Sequence, residues 1–308
     1  MSEMIGGDSV KKGKNQLLLI FSMVIFGTIG LFTRNIDISS SELSLYRAIL
    51  ATLFLGFYLA VSKKRIDFNA VKKQIPLLIL SGIALAFNWI FLFESYKHTA
   101  ISVATLTYYF APVIVTVASS VIFKEKLSHL KIMCFVMSAV GMVFIIDPQN
   151  IISGAVNPEG VLFGLLAAIF YATVIILNKY IKHVESIERN LLQFIVVIVI
   201  LTPYVLLTEG FNLGELHGIG IVSILILGFV HTGFTYCIYF KSVSALPGQE
   251  TAILSYIDPL VAVIISFLVF KETMTVSQII GGIMILGFTL LNELPIKRID
   301  KSRKAKNL

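Results

Sequence analysis

Asp258 and Pro259 stand side by side inside a long apolar run, LSYIDPLVAVIISFLVF. Polar groups in hydrocarbon are costly and usually face a cavity or a partner. Asp258 could therefore hold a substrate amine or take up a proton. It could equally pair with a neighbouring helix and fix packing. Pro259 removes a backbone donor and loosens a helical turn, which suits a hinge. Pro112 stands 147 residues earlier in a similar run, and Tyr109 and Tyr256 each precede their proline by three positions. These tyrosines are expected to face inward together.

Other residues join them by spacing. His231, Thr235 and Tyr239 are four apart and would share one helix face, with Tyr236 beside them. Histidine titrates near neutrality, so His231 could form a relay with Asp258. A lone buried histidine satisfied by a hydroxyl is the other reading. Asn88 and Trp89 pair with Thr235 and Tyr236 at the same 147-residue offset. Two polar-aromatic pairs could line a cavity and bind an aromatic or cationic solute, or serve ordinary packing. Thr105, Tyr108 and Tyr109 lie on one run and Tyr171 on another. The substrate-cavity set is then Asn88, Trp89, Thr105, Tyr109, Tyr171, His231, Thr235, Tyr236, Tyr239, Tyr256 and Asp258, with Pro112 and Pro259 as hinges. Asn178, Ser22 and Thr28 are weaker, because hydroxyls can bond back to their own helix. Arg47, a turn inside its run, could attract a carboxylate or snorkel to the interface. Glu125 and Glu272 sit beside lysines, where helix-end pairing or gate closure suits them. Gly160, Gly164, Gly281 and Gly282 read as close-packing positions.

The elements that must carry these groups are membrane helices. The 308-residue chain is 56% apolar and 14% charged, where a soluble domain carries about a quarter charged residues. About 20 apolar residues span a bilayer, and ten runs qualify: roughly 17–34, 42–62, 75–96, 99–123, 128–147, 160–181, 190–208, 218–240, 246–270 and 276–293. With the N-terminus inside, 21 of the 25 Lys and Arg fall in inner segments and four (Arg34, Arg47, Lys97, Lys271) outside. That bias predicts a multi-pass protein of the cytoplasmic membrane with both termini cytoplasmic. Net charge of +7 is thereby assigned to lipid head groups and topology, and no nucleic acid is expected. The basic tail KRIDKSRKAK reads as a topology anchor, or as an anionic-lipid site. The first apolar run is too long for a signal-peptide core. Cys134 and Cys237 lie in apolar runs, so no disulfide or metal cluster is expected. Walker, zinc-pair and nucleophile-elbow patterns are absent from the sequence; no enzyme, cofactor or metal is predicted.

The apolar runs repeat. Residues 93–125 align without a gap over 240–272, with eight of 33 positions identical, including Tyr109/Tyr256, Pro112/Pro259, Ser119/Ser266 and a closing Phe-Lys-Glu. Glu42 to Arg47 pairs with Glu188 to Gln193 at nearly the same offset. Each half holds five spans, and an odd number turns the second copy over. The predicted fold is all-α and polytopic, ten transmembrane helices as two inverted five-helix repeats, a device of secondary transporters. The expected organisation is an N-tail (1–14), first repeat (15–147), outer linker (148–159), second repeat (160–293) and basic C-tail (294–308). The partners are the bilayer and a small-molecule substrate, with a proton as coupling ion through Asp258; monomer and homodimer both remain open.

The stretches ALAFNWIFLFESYKHTAISVATLTYYFAPVIV and LSYIDPLVAVIISFLVFKE resemble the two repeat signatures of the EamA family, within the drug/metabolite transporter superfamily. The likeness covers about residues 15–293. It implies a central cavity surrounded by helices 1, 3, 4, 6, 8 and 9, with helices 5 and 10 at the periphery. It also implies a carrier of metabolites: an amino-acid exporter first, then an importer or a carrier of nucleobases, vitamins or organic cations. A passive channel is a more distant reading.

Overall fold

The computed structural model describes residues 2–63, 67–122, 128–146, 149, 152, 156–208 and 210–293. The first Phe-Lys-Glu, including Glu125, and the basic C-tail lie outside the described residues. Those described contain helices and no strand. Eight helices are long and apolar enough to cross a bilayer: α1 (Gly13–Thr33), α2 (Ser40–Val61), α3 (Phe68–His98), α4 (Ile101–Ile122), α5 (His129–Ile146), α6 (Pro158–Tyr180), α7 (Ser186–Thr208) and α8 (Gly218–Ala245). Two shorter apolar helices follow, α9 (Ile253–Leu268) and α10 (Val276–Asn292). Large apolar side chains such as Leu53, Phe57, Leu207 and Ile283 point outward and are exposed. That pattern suits a lipid solvent.

Local chemistry sets the helix starts. Ser39 accepts the Glu42 N–H at 3.1 Å at the head of α2. Asp67 accepts from Asn69 and Ala70 before α3, and Asn157 accepts from Glu159 before α6. Each such cap contributes about 1 kcal/mol. Pro158 follows Asn157 in the first turn of α6, where its missing N–H costs nothing.

Three helices that bear on the site are irregular. α4 breaks after Tyr108 and resumes at Ala111. The helix Gly248–Ser255 likewise ends at Tyr256, and Ile257–Leu268 continues it. Both breaks fall at the paired tyrosines. Pro112 and Pro259 each sit in the first turn of the resumed helix, where proline is tolerated. α8 contains a π-helical stretch, Ile226–Phe234. Its Thr232 and Thr235 hydroxyls donate to carbonyls five residues back, Leu227 and Val230, both at 2.8 Å.

The most extensive helix contacts are α3 on α6 and α5 on α10. In the second pair the backbones meet: a Cβ added to Gly281 would stand 2.5 Å from the Gly141 carbonyl oxygen. Small residues permit that approach where lipid supplies no hydrophobic drive between helices.

Candidate functional site

The helices enclose a cavity of about 540 Å³. Nine of the eleven residues expected there line it: Asn88, Trp89, Thr105, Tyr109, Tyr171, Tyr236, Tyr239, Tyr256 and Asp258. Pro112 lines it as well. The Tyr109 and Tyr256 rings are 6.1 Å apart, so the two helix breaks meet. The Tyr109 hydroxyl donates to Asp258 Oδ2 at 2.8 Å and lies 3.3 Å from the Ser255 carbonyl. Among the described residues, no cation lies within ion-pair distance of Asp258. Tyr108 and Tyr171 pack at 5.3 Å, and Phe26 of α1 meets Tyr236 and Tyr239 at 5.6 and 5.8 Å. The walls are therefore largely aromatic, with hydroxyls at their rims.

Two expected lining residues are placed elsewhere. His231 and Thr235 are not on the cavity wall; both are buried between helices. His231 Nε2 is 2.8 Å from the Thr28 hydroxyl, and its Nδ1 is 3.2 Å from the Ile226 carbonyl. The structure thus gives the lone buried histidine, and a direct relay to Asp258 has no geometric basis. The cause is which side of α8 the cavity meets. Tyr236, Tyr239 and Phe240 form the wall on α8, so the face that 231, 235 and 239 share meets the cavity only at its edge, through Tyr239. Pro259 is buried off the wall. Ser22 and Thr28 bond back to the Leu18 and Ile25 carbonyls. Asn88 donates to the Ala167 carbonyl at 2.8 Å, tying α3 to α6 while it lines the cavity.

Sequence reasoning left Arg47 open between attracting a carboxylate from the outer side and snorkelling to the interface. It is 2% exposed and forms part of the wall, so snorkelling does not account for it. Its Nε donates to Thr232 Oγ1 at 2.5 Å. Its guanidinium lies 4.3 Å from the Trp89 ring centroid and 5.5 Å from that of Phe93. Also unforeseen are Tyr96 and, on α7, Arg189, Asn190 and Gln193. The signal for Gln193 was present in its alignment with Arg47. α2 and α7 thus join the six helices that the family resemblance implied, while α5 and α10 contribute no described lining residue. Among the described residues no group of three His, Cys, Asp or Glu could hold a metal.

One end of the bundle is tied together. Lys271 adopts a left-handed backbone (φ 55°) and turns the chain back after α9. Glu272 then reaches the Ser266 hydroxyl, the Ile101 N–H at 3.0 Å and Arg34 Nη2 at 2.5 Å. Arg34 also donates to the Thr99 carbonyl at 3.1 Å. α1, the α3–α4 turn and α9 are joined by this cluster. Lys179 and Arg189 mark another part of the wall, where Lys179 Nζ is 3.5 Å from the Ser119 hydroxyl. Ser119 is the repeat counterpart of Ser266.

Several known proteins share this plan. A solved crystal structure superposes with a TM-score of 0.66 at 14% identity, over 94% of this chain and 99% of that one, a likeness of fold. An uncharacterized transporter of Bacillus subtilis, YxxF, is 30% identical over 281 residues, 91% of this chain and 89% of its own length. An S-adenosylmethionine uptake transporter of Rickettsia felis is 24% identical over 257 residues, 82% of each. The EamA-like transporter family matches residues 14–147 and 158–293. With that match over nearly its whole length, the chain belongs to the EamA-like transporter family.

Proposed function

We propose that this membrane transporter moves a small amphipathic metabolite, an amino acid in the first instance, by alternating access between two inverted five-helix repeats. The repeats are residues 15–147 and 160–293, ten spans in all, with both termini cytoplasmic and net flux outward. The observation that carries the reading is the aromatic cavity, formed where the broken helices α4 and α9 meet. The pattern of helix contacts supports the repeat: exchanging each helix for the one five places away turns α1–α9 into α6–α4, α3–α6 into α8–α1 and α2–α8 into α7–α3, all of which are packed pairs. Pseudo-symmetric bundles of this kind can exchange conformations and open a shared site to either side. In the proposed topology the Glu272 cluster closes the outer end, and Lys179 and Arg189 stand towards the cytoplasm.

A second reading, uptake of S-adenosylmethionine, is favoured by the name of the Rickettsia relative. Counterflow in proteoliposomes tests both. Liposomes preloaded with unlabelled amino acid or S-adenosylmethionine should accumulate labelled external solute transiently. Flux that rises linearly with concentration, without counterflow, overturns the carrier in favour of a channel. Proton coupling through Asp258 predicts that an imposed pH gradient drives accumulation in the wild type and not in Asp258→Asn. Equal gradient responses exclude that coupling.

A further inference from the structure

We infer that the cavity selects the head group of an α-amino acid, with Arg47 holding the carboxylate and Asp258 the ammonium. This rests on the carrier reading and specifies its substrate chemistry. Arg47 is buried, and its Nη1 has no hydrogen-bond partner. No carboxylate lies within ion-pair distance of it among the described residues. Thr232 holds the Nε edge, and Trp89 and Phe93 cover the guanidinium faces. One edge of a planar fork is thereby left for a ligand, and a carboxylate matches that fork. Asp258 sits in the same wall with a neutral hydroxyl as its hydrogen-bond donor.

Two opposite charges therefore share one cavity without pairing with each other. Each is fixed by its own helix contacts. An uncompensated charge in a dry site is costly, so a ligand that neutralises both gains most. Tyr96 and Tyr108 line the same cavity as Arg47 and Asp258. The other charged lining groups, Lys179 and Arg189, are cationic. A simple organic cation would satisfy Asp258 and meet three positive side chains. A nucleobase would leave both charges uncompensated. Free amino acids and S-adenosylmethionine both carry the required head.

The test uses the full-length protein in detergent and in liposomes, with the ligand altered rather than the fold. Leucine, phenylalanine and S-adenosylmethionine are the probes, which separates the two sources of the head group. Each is compared with its α-amide or its decarboxylated amine, and the two amino acids also with their N-acetyl forms, by thermal shift and by inhibition of counterflow. At least one free head group should bind at least about tenfold tighter than its amide, its amine and its N-acetyl form, the equivalent of one charge-assisted hydrogen bond. Asp258→Asn should abolish the preference for the free amine over the N-acetyl form and keep that for acid over amide. Equal binding of acid and amide by the wild type overturns the inference. Transport of a nucleobase or organic cation with none of the three probes recognised overturns it as well, and leaves the carrier reading standing. Absence of counterflow by any solute overturns both.

Discussion

α2 and α7 occupy equivalent places in the two halves, and they share a frame but not the placing of a charge. Gly228 lets Leu50 of α2 close on α8, where an added Cβ would be 2.4 Å from the leucine Cβ. Gly82 lets Val196 of α7 close on α3 in the same way, at 2.6 Å. Both pairs stand 146 residues apart, as do the buried Glu42 and Glu188. Yet the equivalent position on the wall is Arg47 on one helix and Gln193 on the other, where Arg189 and Asn190 line the cavity beside it. Gln193 donates to the Ser81 hydroxyl at 2.5 Å and to Asn178 Oδ1 at 2.8 Å, a neutral network. Arg47 has a single hydroxyl and two aromatic faces. Asp258 repeats the lesson, since its counterpart is Ala111. Packing positions tolerate duplication because each half needs the same helix contacts. Charges facing the cavity need to match a substrate, and a substrate has no internal twofold.

Making α2 resemble α7 should have the largest effect. Arg47→Gln removes the positive charge and the stacking on Trp89. Loss of a buried charged partner costs about 2–5 kcal/mol of binding, so affinity for a free amino acid should fall by about two orders of magnitude. The preference for acid over amide should vanish with it. Isothermal titration with the paired ligands checks this. A variant that binds both forms weakly but keeps the preference would assign the carboxylate to Arg189 or Lys179.

The converse change on α7 should act on stability. Gln193→Leu removes both bonds and leaves Ser81 and Asn178 only their mutual contact at 3.3 Å. A buried polar group left unsatisfied costs about 1–3 kcal/mol. The melting temperature should drop, while the ratio of acid to amide binding holds. Thermal unfolding followed by circular dichroism, beside the same ligand pair, separates this outcome from that of Arg47→Gln.

Sequence reading reached the cavity through rare polar residues in apolar runs, and nine of its eleven choices line the wall. Those nine lie where the helix is regular or breaks at a visible proline, as at Tyr109 and Tyr256. It failed at His231 and Thr235 because spacing shows which positions share a helix face and not which face meets the cavity; Tyr236, Tyr239 and Phe240 do. Arg47 was left open for the same reason. Position within a run gives its depth along the helix and says nothing of its azimuth, so a residue one turn inside could face lipid, interface or cavity. The Thr232 hydroxyl, 185 residues away in sequence, decides between them.

The smallest expected effect tests the sealed end against the cavity wall. Lys271 pays a steric cost for its left-handed backbone, about 1–2 kcal/mol for a residue with a Cβ. The turn returns Glu272 to Ser266, Ile101 and Arg34. Lys271→Gly keeps that turn and relieves the clash, so the sealed arrangement should gain up to about 1 kcal/mol, partly offset by glycine's greater freedom when unfolded. A cysteine placed at Thr105, in a background with Cys134 and Cys237 replaced by alanine, reports opening through its rate of maleimide labelling from the sealed side. Labelling should slow by a few-fold. The preference for acid over amide should hold, because neither Arg47 nor Asp258 contacts the turn. Faster labelling would mean that Lys271 itself, rather than the turn it adopts, holds the end closed. A changed preference would mean that the closing cluster and the head-group site are one unit, against the division drawn here between a shared frame and a cavity that carries the charges.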